Sequence, residues 1–296
     1  MAAFTDPNPV LRNRFAYLIR EFAVRTRIRA AGRWLLRALR SGKRQDSEAQ
    51  PAAPTEAAAP PTDARASTRT DPAGHRRRDG PALGWTELGI AIVSLLALSV
   101  LAGSAATLIL GHEPATLLAL LLDTGAAVGA VSIAVAARVR SLAAVGLKRV
   151  DGRWIRIGAA WGVLVWLLNA ALLVGYMALT DDWSLPQPWL TDVATGSVPG
   201  LIGVLFVCAL LAPFGEELLF RGVGYGALRR YGVFVAAAGS SVVFGLAHGF
   251  SVVLPAALVL GVVAALLYER SGSIWPAVTA HVVNNAIVFM VAAIFL

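Results

Sequence analysis

The chain has 296 residues, of which 57% are hydrophobic, and its mean hydropathy is +0.66. That apolar share is too high for an ordinary soluble domain and indicates a polytopic membrane protein. Residues 1–80 hold 16 Lys/Arg and 8 Asp/Glu, so the whole net charge of +8 lies there, whereas residues 81–296 hold 10 of each. The single cysteine, Cys208, excludes an intrachain disulfide.

The basic N-terminal region divides into two segments. The first, residues 1–44, includes a stretch over 10–42 in which Leu11 and Phe15 recur at helical spacing between arginines. This pattern predicts an amphipathic helix on an anionic lipid surface, with a solvated helix as the plainer alternative. Nucleic-acid binding is not expected beside a membrane domain. Residues 45–80 are rich in Ala, Pro, Thr and Asp, which predicts a disordered linker.

Residues 81–296 are predicted to form an all-α transmembrane bundle of about seven helices. The apolar segments run over 86–111, 115–137, 155–179, 198–228, 232–248, 252–268 and 274–295. The basic N-terminal region and the basic stretch 138–156 predict a cytoplasmic side, and the acidic stretch 180–197 predicts the opposite side. The predicted location is a bacterial-type plasma membrane with a cytoplasmic N-terminus.

Three apolar segments near the C-terminus carry charged or polar side chains. They are Glu216, Glu217, Arg221, His248, His281 and Asn285. Charged groups inside a membrane segment cost several kcal/mol and are functional by default. With a rise of about 1.5 Å per residue from the basic ends, four of these groups lie about 16 to 25 Å deep. The three segments are therefore predicted to converge in one layer.

Helical phase predicts different surroundings for the two glutamates. Adjacent helical residues point about 100° apart. Glu217 and Arg221 are one turn apart with the acid first, which favours an ion pair. Glu216 is thereby left free to face a cavity.

The later segments each contribute two residues at a spacing of four. Phe244 can pack under the His248 imidazole, and His281 and Asn285 share a face. A carboxylate beside an imidazole can deprotonate a water, and a second imidazole with an amide can stabilise an oxyanion. The same set could instead bind zinc through Glu216, His248 and His281, with water as the fourth ligand. The HExxH spacing of many zinc peptidases is absent from the sequence.

The chain resembles the CPBP family of intramembrane proteases, which includes the type II CaaX prenyl endopeptidases and bacteriocin-processing or self-immunity proteins. The resemblance lies in three motifs: EExxxR at Glu216–Arg221, FxxxH at Phe244–His248 and HxxxN at His281–Asn285. It covers about residues 198–292. It implies an endopeptidase whose site lies within the membrane.

The resemblance also implies a role for each motif residue. Glu216 and His248 would activate the water, and His281 and Asn285 would form the oxyanion hole. The supporting residues would be Glu217, Arg221 and Phe244. No cofactor is expected, because asparagine is a poor zinc ligand and the glutamate–histidine scheme uses every group; zinc is the alternative. The expected substrate is a peptide or a membrane protein, including a lipid-modified one.

Two other functions could use the same residues. The cavity could bind a peptide or membrane partner without catalysis, as an immunity or scaffold protein does. Intramembrane glutamate and histidine also mark ion paths, although the sequence shows no inverted repeat of broken helices. Full biological function of a Glu216→Ala, His281→Ala double variant would favour the first, and ion flux in vesicles the second.

Overall fold

The computed structural model describes residues 83–111, 115–182 and 184–295, and all regular structure in these ranges is helical. The predictions for residues 1–44 and 45–80 lie outside the described residues. The helices, numbered here in chain order, are α1 Trp85–Leu110, α2 Thr116–Ala134, α3 Gly152–Thr180, α4 Pro188–Gly196, α5 Val198–Tyr231, α6 Val233–Ala247, α7 Val253–Ser271 and α8 Trp275–Phe295.

Seven of these helices lie at the predicted apolar segments, which confirms the all-α membrane bundle. Six are long and apolar enough to cross a membrane, α2 being counted with the π-helical turn Val135–Val139 that follows it. Helix α6 has 15 residues. That is about 22 Å of helix, against the roughly 20 residues that a crossing needs. The structure thus provides six helices of full spanning length and one shorter apolar helix where the sequence predicts seven spans.

The acidic stretch between α3 and α5 contains α4, a helix that the sequence analysis did not predict. It begins with Pro188, whose missing N–H is harmless at the first turn. Leu190 and Ala194 are buried against α5 and α8, and Trp189 is exposed. With nine residues α4 is far too short to cross a membrane.

The outer surface of the bundle is apolar and its interior holds charged groups. Leu108, Leu179 and Phe234 are 84%, 89% and 84% exposed, whereas Glu217 and Arg221 are fully buried. Soluble proteins bury such large apolar side chains and keep unshielded charges outside. Six long apolar helices with this surface make the protein an integral membrane protein.

Helix α5 carries the acidic pair and is the most irregular helix of the described part. Its regular turns Ala212–Glu217 lie between two π-helical segments, Leu205–Leu211 and Leu218–Tyr225. A proline clashes with the carbonyl four residues before it in a regular helix, and the wider turn ahead of Pro213 accounts for its tolerance. Because π-helical turns concentrate at functional sites, their position around the acidic pair points to this helix.

Helices α3 and α8 pack closely along a stripe of small residues. Gly158 and Gly162 face the backbone of Pro276 and Ala280, one turn apart on each helix. A Cβ at either glycine would collide with a carbonyl oxygen of α8, so the close approach requires glycine. His281 follows Ala280 directly, so the contact with α3 fixes the position of this histidine.

The beginning of α1 lies together with the ends of α2, α5 and α7, which carry basic residues. Three contacts join them: Arg138 Nε to Glu87 Oε1 at 3.1 Å, Arg229 Nη2 to Glu269 Oε1 at 2.9 Å, and Trp85 Nε1 to Tyr231 Oη at 2.8 Å. We call this the basic end. Its side of the membrane stays a prediction.

The basic stretch before α3 is tied to the segment that leads into α8. Ser273 Oγ donates a hydrogen bond of 2.8 Å to the Lys148 carbonyl, and the Ile274 N–H donates one of 3.0 Å to the Gly146 carbonyl. Gly146 has a φ of 81°, and Tyr268 leaves no room for a Cβ there. This joint sets the position at which α8 begins.

Candidate active site

The Glu217–Arg221 pair lies at the centre of the polar cluster, and both side chains are fully buried. Arg221 Nε and Glu217 Oε2 are 3.2 Å apart, which is the ion pair that the one-turn spacing predicts. The Nε–H is not directed at the carboxylate, so the contact is ionic rather than a hydrogen bond. Arg221 Nη2 donates a hydrogen bond of 2.9 Å to the Gly261 carbonyl. Because buried charges need partners, Arg221 ties α5 to α7.

His281 lies between the two carboxylates. Its Nδ1 is 3.0 Å from Glu217 Oε1, and its Nε2 is 3.7 Å from Glu216 Oε2. The shorter distance is a hydrogen bond, and a carboxylate at Glu217 accepts it from an Nδ1–H. The longer distance exceeds a hydrogen bond and leaves Nε2 open to another partner.

Glu216 is the more accessible of the two carboxylates. Its side chain is 31% exposed, whereas that of Glu217 is 0% exposed. Glu217 contacts both Arg221 and His281, so its charge is compensated. Glu216 is therefore the carboxylate that can reach a water and accept a proton from it.

Phe244 connects the three motifs. Its buried ring lies 4.7 Å from the His248 ring and 5.7 Å from the His281 ring, between centroids. The Arg221 guanidinium carbon lies 4.6 Å from the centre of the same ring. The edge-to-face and cation–π geometries are each stabilising. The sequence predicts the contact with His248 alone; the contacts with His281 and Arg221 are findings of the structure.

His248 follows the last residue of α6 and is half-buried. Its Nδ1 lies 2.9 Å from the Phe244 carbonyl. A carbonyl only accepts, so Nδ1 donates, and Nε2 carries the lone pair of the neutral ring. Glu216 pairs with His281 rather than with His248 among the described residues. The sharing of a water by Glu216 and His248 stays a prediction.

Asn285 bonds to the backbone of α5. Its Nδ2 donates a hydrogen bond of 3.0 Å to the Cys208 carbonyl, and its Oδ1 accepts one of 2.9 Å from Asn284 Nδ2. Asn284 is 7% exposed, and no role is predicted for it from the motifs. Two adjacent asparagines in an apolar helix were the available signal. His281 and Asn285 share a face as predicted, but their contacts lie on different parts of α5.

The zinc alternative can be compared with this geometry. Zinc takes N and O ligands at about 2.0–2.2 Å, so its ligand atoms must lie close together. No group of three or more His, Cys, Asp or Glu residues in the described ranges is placed to hold a metal ion. As arranged, Glu216, His248 and His281 therefore do not fit zinc. That no cofactor is needed stays a prediction.

The fold and the cluster define a class: a polytopic helical membrane protein with carboxylate, imidazole and amide groups gathered inside its bundle. Residues 198–287 match the family described as type II CAAX prenyl endopeptidase Rce1-like. All three motifs lie within these residues. Through this segment the findings support the CPBP family of membrane proteases, which the three motifs predict.

A relative from Bacillus subtilis (strain 168) carries the name "Putative membrane peptidase YdiL". It is 34% identical over 86 residues, which are 29% of this chain and 35% of the relative. The similarity thus spans about a third of the relative's length. No solved structure matches the chain.

Proposed function

We propose that the protein is an intramembrane endopeptidase of the CPBP type, in which Glu216 activates a water. The observation that carries this proposal is the unequal surroundings of the two carboxylates. Glu217 is compensated by Arg221 and His281, while Glu216 is partly exposed beside the open Nε2 of His281. The family match and the relative's name support a peptidase that acts on a peptide or protein.

In the proposed reaction the oxygen of the water forms a bond to the scissile carbonyl carbon. His248 holds the water through Nε2, and Glu216 takes a proton from this water. The carbonyl oxygen becomes an oxyanion, to which His281 and Asn285 donate hydrogen bonds. His281 donates from Nε2 while Nδ1 donates to Glu217, so in this proposal it is an imidazolium that holds both protons before and after the step. When the C–N bond breaks, the proton on Glu216 passes to the leaving nitrogen.

The supporting residues hold these groups in place. Glu217 fixes the His281 ring through Nδ1, and Arg221 balances the charge of Glu217. Phe244 contacts the rings of His248 and His281, and both ring planes are inclined to its own. Such positioning matters because a shift of about 1 Å can cost about 100-fold in rate.

We propose that no metal takes part, because asparagine is a poor zinc ligand and the three candidate ligands do not form a cluster. The test is metal analysis of purified protein together with its sensitivity to chelators. We expect substoichiometric zinc and unchanged cleavage in a chelator. Stoichiometric zinc that leaves together with activity would overturn this part of the proposal.

We propose that the basic end faces the cytoplasm, since Lys and Arg concentrate there. In a Cys208→Ser background, Arg149→Cys places a thiol near the basic end. In the same background, Asp182→Cys places a thiol in the acidic stretch. An impermeant maleimide added to intact cells should label Asp182→Cys and leave Arg149→Cys unlabelled. The reverse pattern would reject this orientation.

The catalytic proposal is tested by comparing the membrane proteomes of cells that carry wild type or Glu216→Gln. We expect a truncated membrane protein or released peptide that is present with wild type and lost with the variant. The matched control is Asp123→Asn, the same change at an exposed position of α2. Identical product patterns at equal expression would favour a non-catalytic scaffold or immunity protein that binds through the same residues.

A further inference from the structure

Helix α5 exposes one backbone carbonyl to a side chain of α8. In a regular α-helix the Cys208 carbonyl would accept from the N–H of Ala212. Here that N–H donates to the Val207 carbonyl, five residues back, at the end of the π-helical segment. The π-helical partner of the Cys208 carbonyl would be residue 213, which is a proline without an N–H. The Cys208 carbonyl is therefore released from the backbone ladder of its own helix.

The released carbonyl determines the orientation of Asn285. Because the Cys208 carbonyl can only accept, the side of Asn285 that faces it must be the amide nitrogen, at 3.0 Å. The oxygen of Asn285 then faces Asn284, whose own amide nitrogen donates at 2.9 Å. With either amide reversed, two acceptors would face each other. Only one arrangement of the two amides therefore pairs a donor with an acceptor both between Asn284 and Asn285 and between Asn285 and the Cys208 carbonyl.

We infer that Asn284 and the Cys208 carbonyl, freed by Pro213, form a relay that orients the amide of Asn285 for catalysis. One N–H of Asn285 Nδ2 is engaged by the Cys208 carbonyl, and the relay fixes the direction of the other. Resting on the proposed function, the inference assigns that second N–H to the developing oxyanion. Asn284 is a positioning residue, and Pro213 is the residue that creates its anchor.

The buried end of the relay, Asn284, lowers the stability of the fold. Asn284 is 93% buried by its 7% exposure, and its Oδ1 has no hydrogen-bond partner among the described residues. An unsatisfied buried oxygen is destabilising, so packing alone would favour an apolar side chain at this position. The donor that Asn284 supplies to Asn285 is the contact that an apolar residue could not replace.

The first test observes the relay without any substrate. Because Cys208 is the single cysteine of the chain, carbonyl-13C cysteine labels one backbone carbonyl, whose infrared band reports its hydrogen bond. In reconstituted protein we expect the band of Asn285→Ala to move to higher frequency than wild type. Asn284→Leu, which keeps the volume and removes the donor, should give a smaller shift in the same direction. An unmoved band in Asn285→Ala would overturn the relay.

The second test measures catalysis on the substrate whose cleavage the Glu216→Gln comparison identifies. We expect kcat to fall about 100- to 1,000-fold in Asn285→Ala, as for the loss of an oxyanion donor. Asn284→Leu should lose about 10- to 100-fold in kcat with KM unchanged, since a misdirected donor acts on the transition state. Pro213→Ala supplies an N–H that competes for the Cys208 carbonyl. The infrared band of that carbonyl should stay at the frequency of a hydrogen-bonded carbonyl, while kcat falls.

The matched control is Asn169→Leu. Asn169 is also an asparagine in a membrane helix, with Nδ2 3.4 Å from the Ala256 carbonyl and a buried Oδ1 without a hydrogen-bond partner among the described residues. The Asn169→Leu substitution should leave the infrared band of the Cys208 carbonyl unmoved. A shifted band in Asn284→Leu with wild-type kcat would overturn the catalytic part of the inference. If every variant, Glu216→Gln included, cleaves the substrate as wild type does, the proposed function is rejected.

Discussion

The basic end and the buried cluster of the bundle use the same residue types with different charge balances. At the basic end Glu269 pairs with Arg229, and the arginine side chain is 34% exposed. In the buried cluster Glu217 pairs with Arg221, both fully buried, and the adjacent Glu216 lies 3.7 Å from His281 Nε2. A compensated pair joins helix ends; an extra carboxylate beside a histidine remains available for proton transfer. The comparison separates structural charges from those we assign to chemistry.

The largest expected difference between the two regions is in stability. Arg221→Met removes the arginine that pairs with the buried Glu217, which should lower the free energy of unfolding by about 3–5 kcal/mol. Arg138→Met removes a pair whose arginine is 55% exposed, so we expect a loss of about 0–1 kcal/mol. Unfolding followed by circular dichroism in detergent measures both.

A compensating variant guards this prediction against simple misfolding. Glu217→Gln combined with Arg221→Met removes both charges and should recover part of the lost stability, because the uncompensated charge is the main cost. Equal losses for Arg221→Met and Arg138→Met would remove the distinction between the two regions.

A smaller effect is expected from the contact that positions His281. Gly162→Ala places a Cβ against the Ala280 carbonyl, which should cost about 1–3 kcal/mol and shift α8. The matched control is Gly175→Ala on the same helix, where a Cβ meets no atom within 4 Å. It should be neutral or stabilising by up to about 1 kcal/mol. Melting temperature and cleavage rate should fall together in Gly162→Ala; a neutral outcome would mean that α8 is positioned by other contacts.

The smallest of the expected changes concerns the ring that connects the motifs. Phe244→Leu keeps an apolar side chain but removes the ring contacts with His281 and Arg221, at about 1–2 kcal/mol. Phe234→Leu on the same helix is 84% exposed and should change stability by less than about 0.5 kcal/mol. We expect the cleavage rate to fall in Phe244→Leu and to stay at the wild-type value in Phe234→Leu. Wild-type cleavage by Phe244→Leu would show that the ring only fills space.

The sequence predicts the parts of this molecule that depend on local periodicity. Apolar runs mark all seven long or short hydrophobic helices, and one-turn spacing predicts the Glu217–Arg221 pair. Helix rise predicts that the three motif segments approach each other, which the contacts of Phe244 show. In each case the information lies within one turn of helix or in a count of residues.

The features that sequence reasoning missed depend on tertiary contacts of the backbone. The acceptor of Asn285 is the carbonyl of Cys208, and a carbonyl has no signature in a sequence. The π-helical segments around Glu216 and Glu217 arise from packing and from Pro213, so regular phase could not predict that His281 contacts both acids. Helix α4 is short and amphipathic, and its apolar face exists only against α5 and α8.

The most direct test of Glu216 as the base is turnover by wild type and Glu216→Gln in proteoliposomes, on the substrate whose cleavage was identified in membranes. Loss of a general base should lower kcat by about 100- to 10,000-fold, with the melting temperature unchanged. Asp123→Asn should retain the wild-type kcat, because that exposed carboxylate lies outside the cluster. A Glu216→Gln protein that cleaves at the wild-type rate would contradict the assignment of the accessible carboxylate to catalysis.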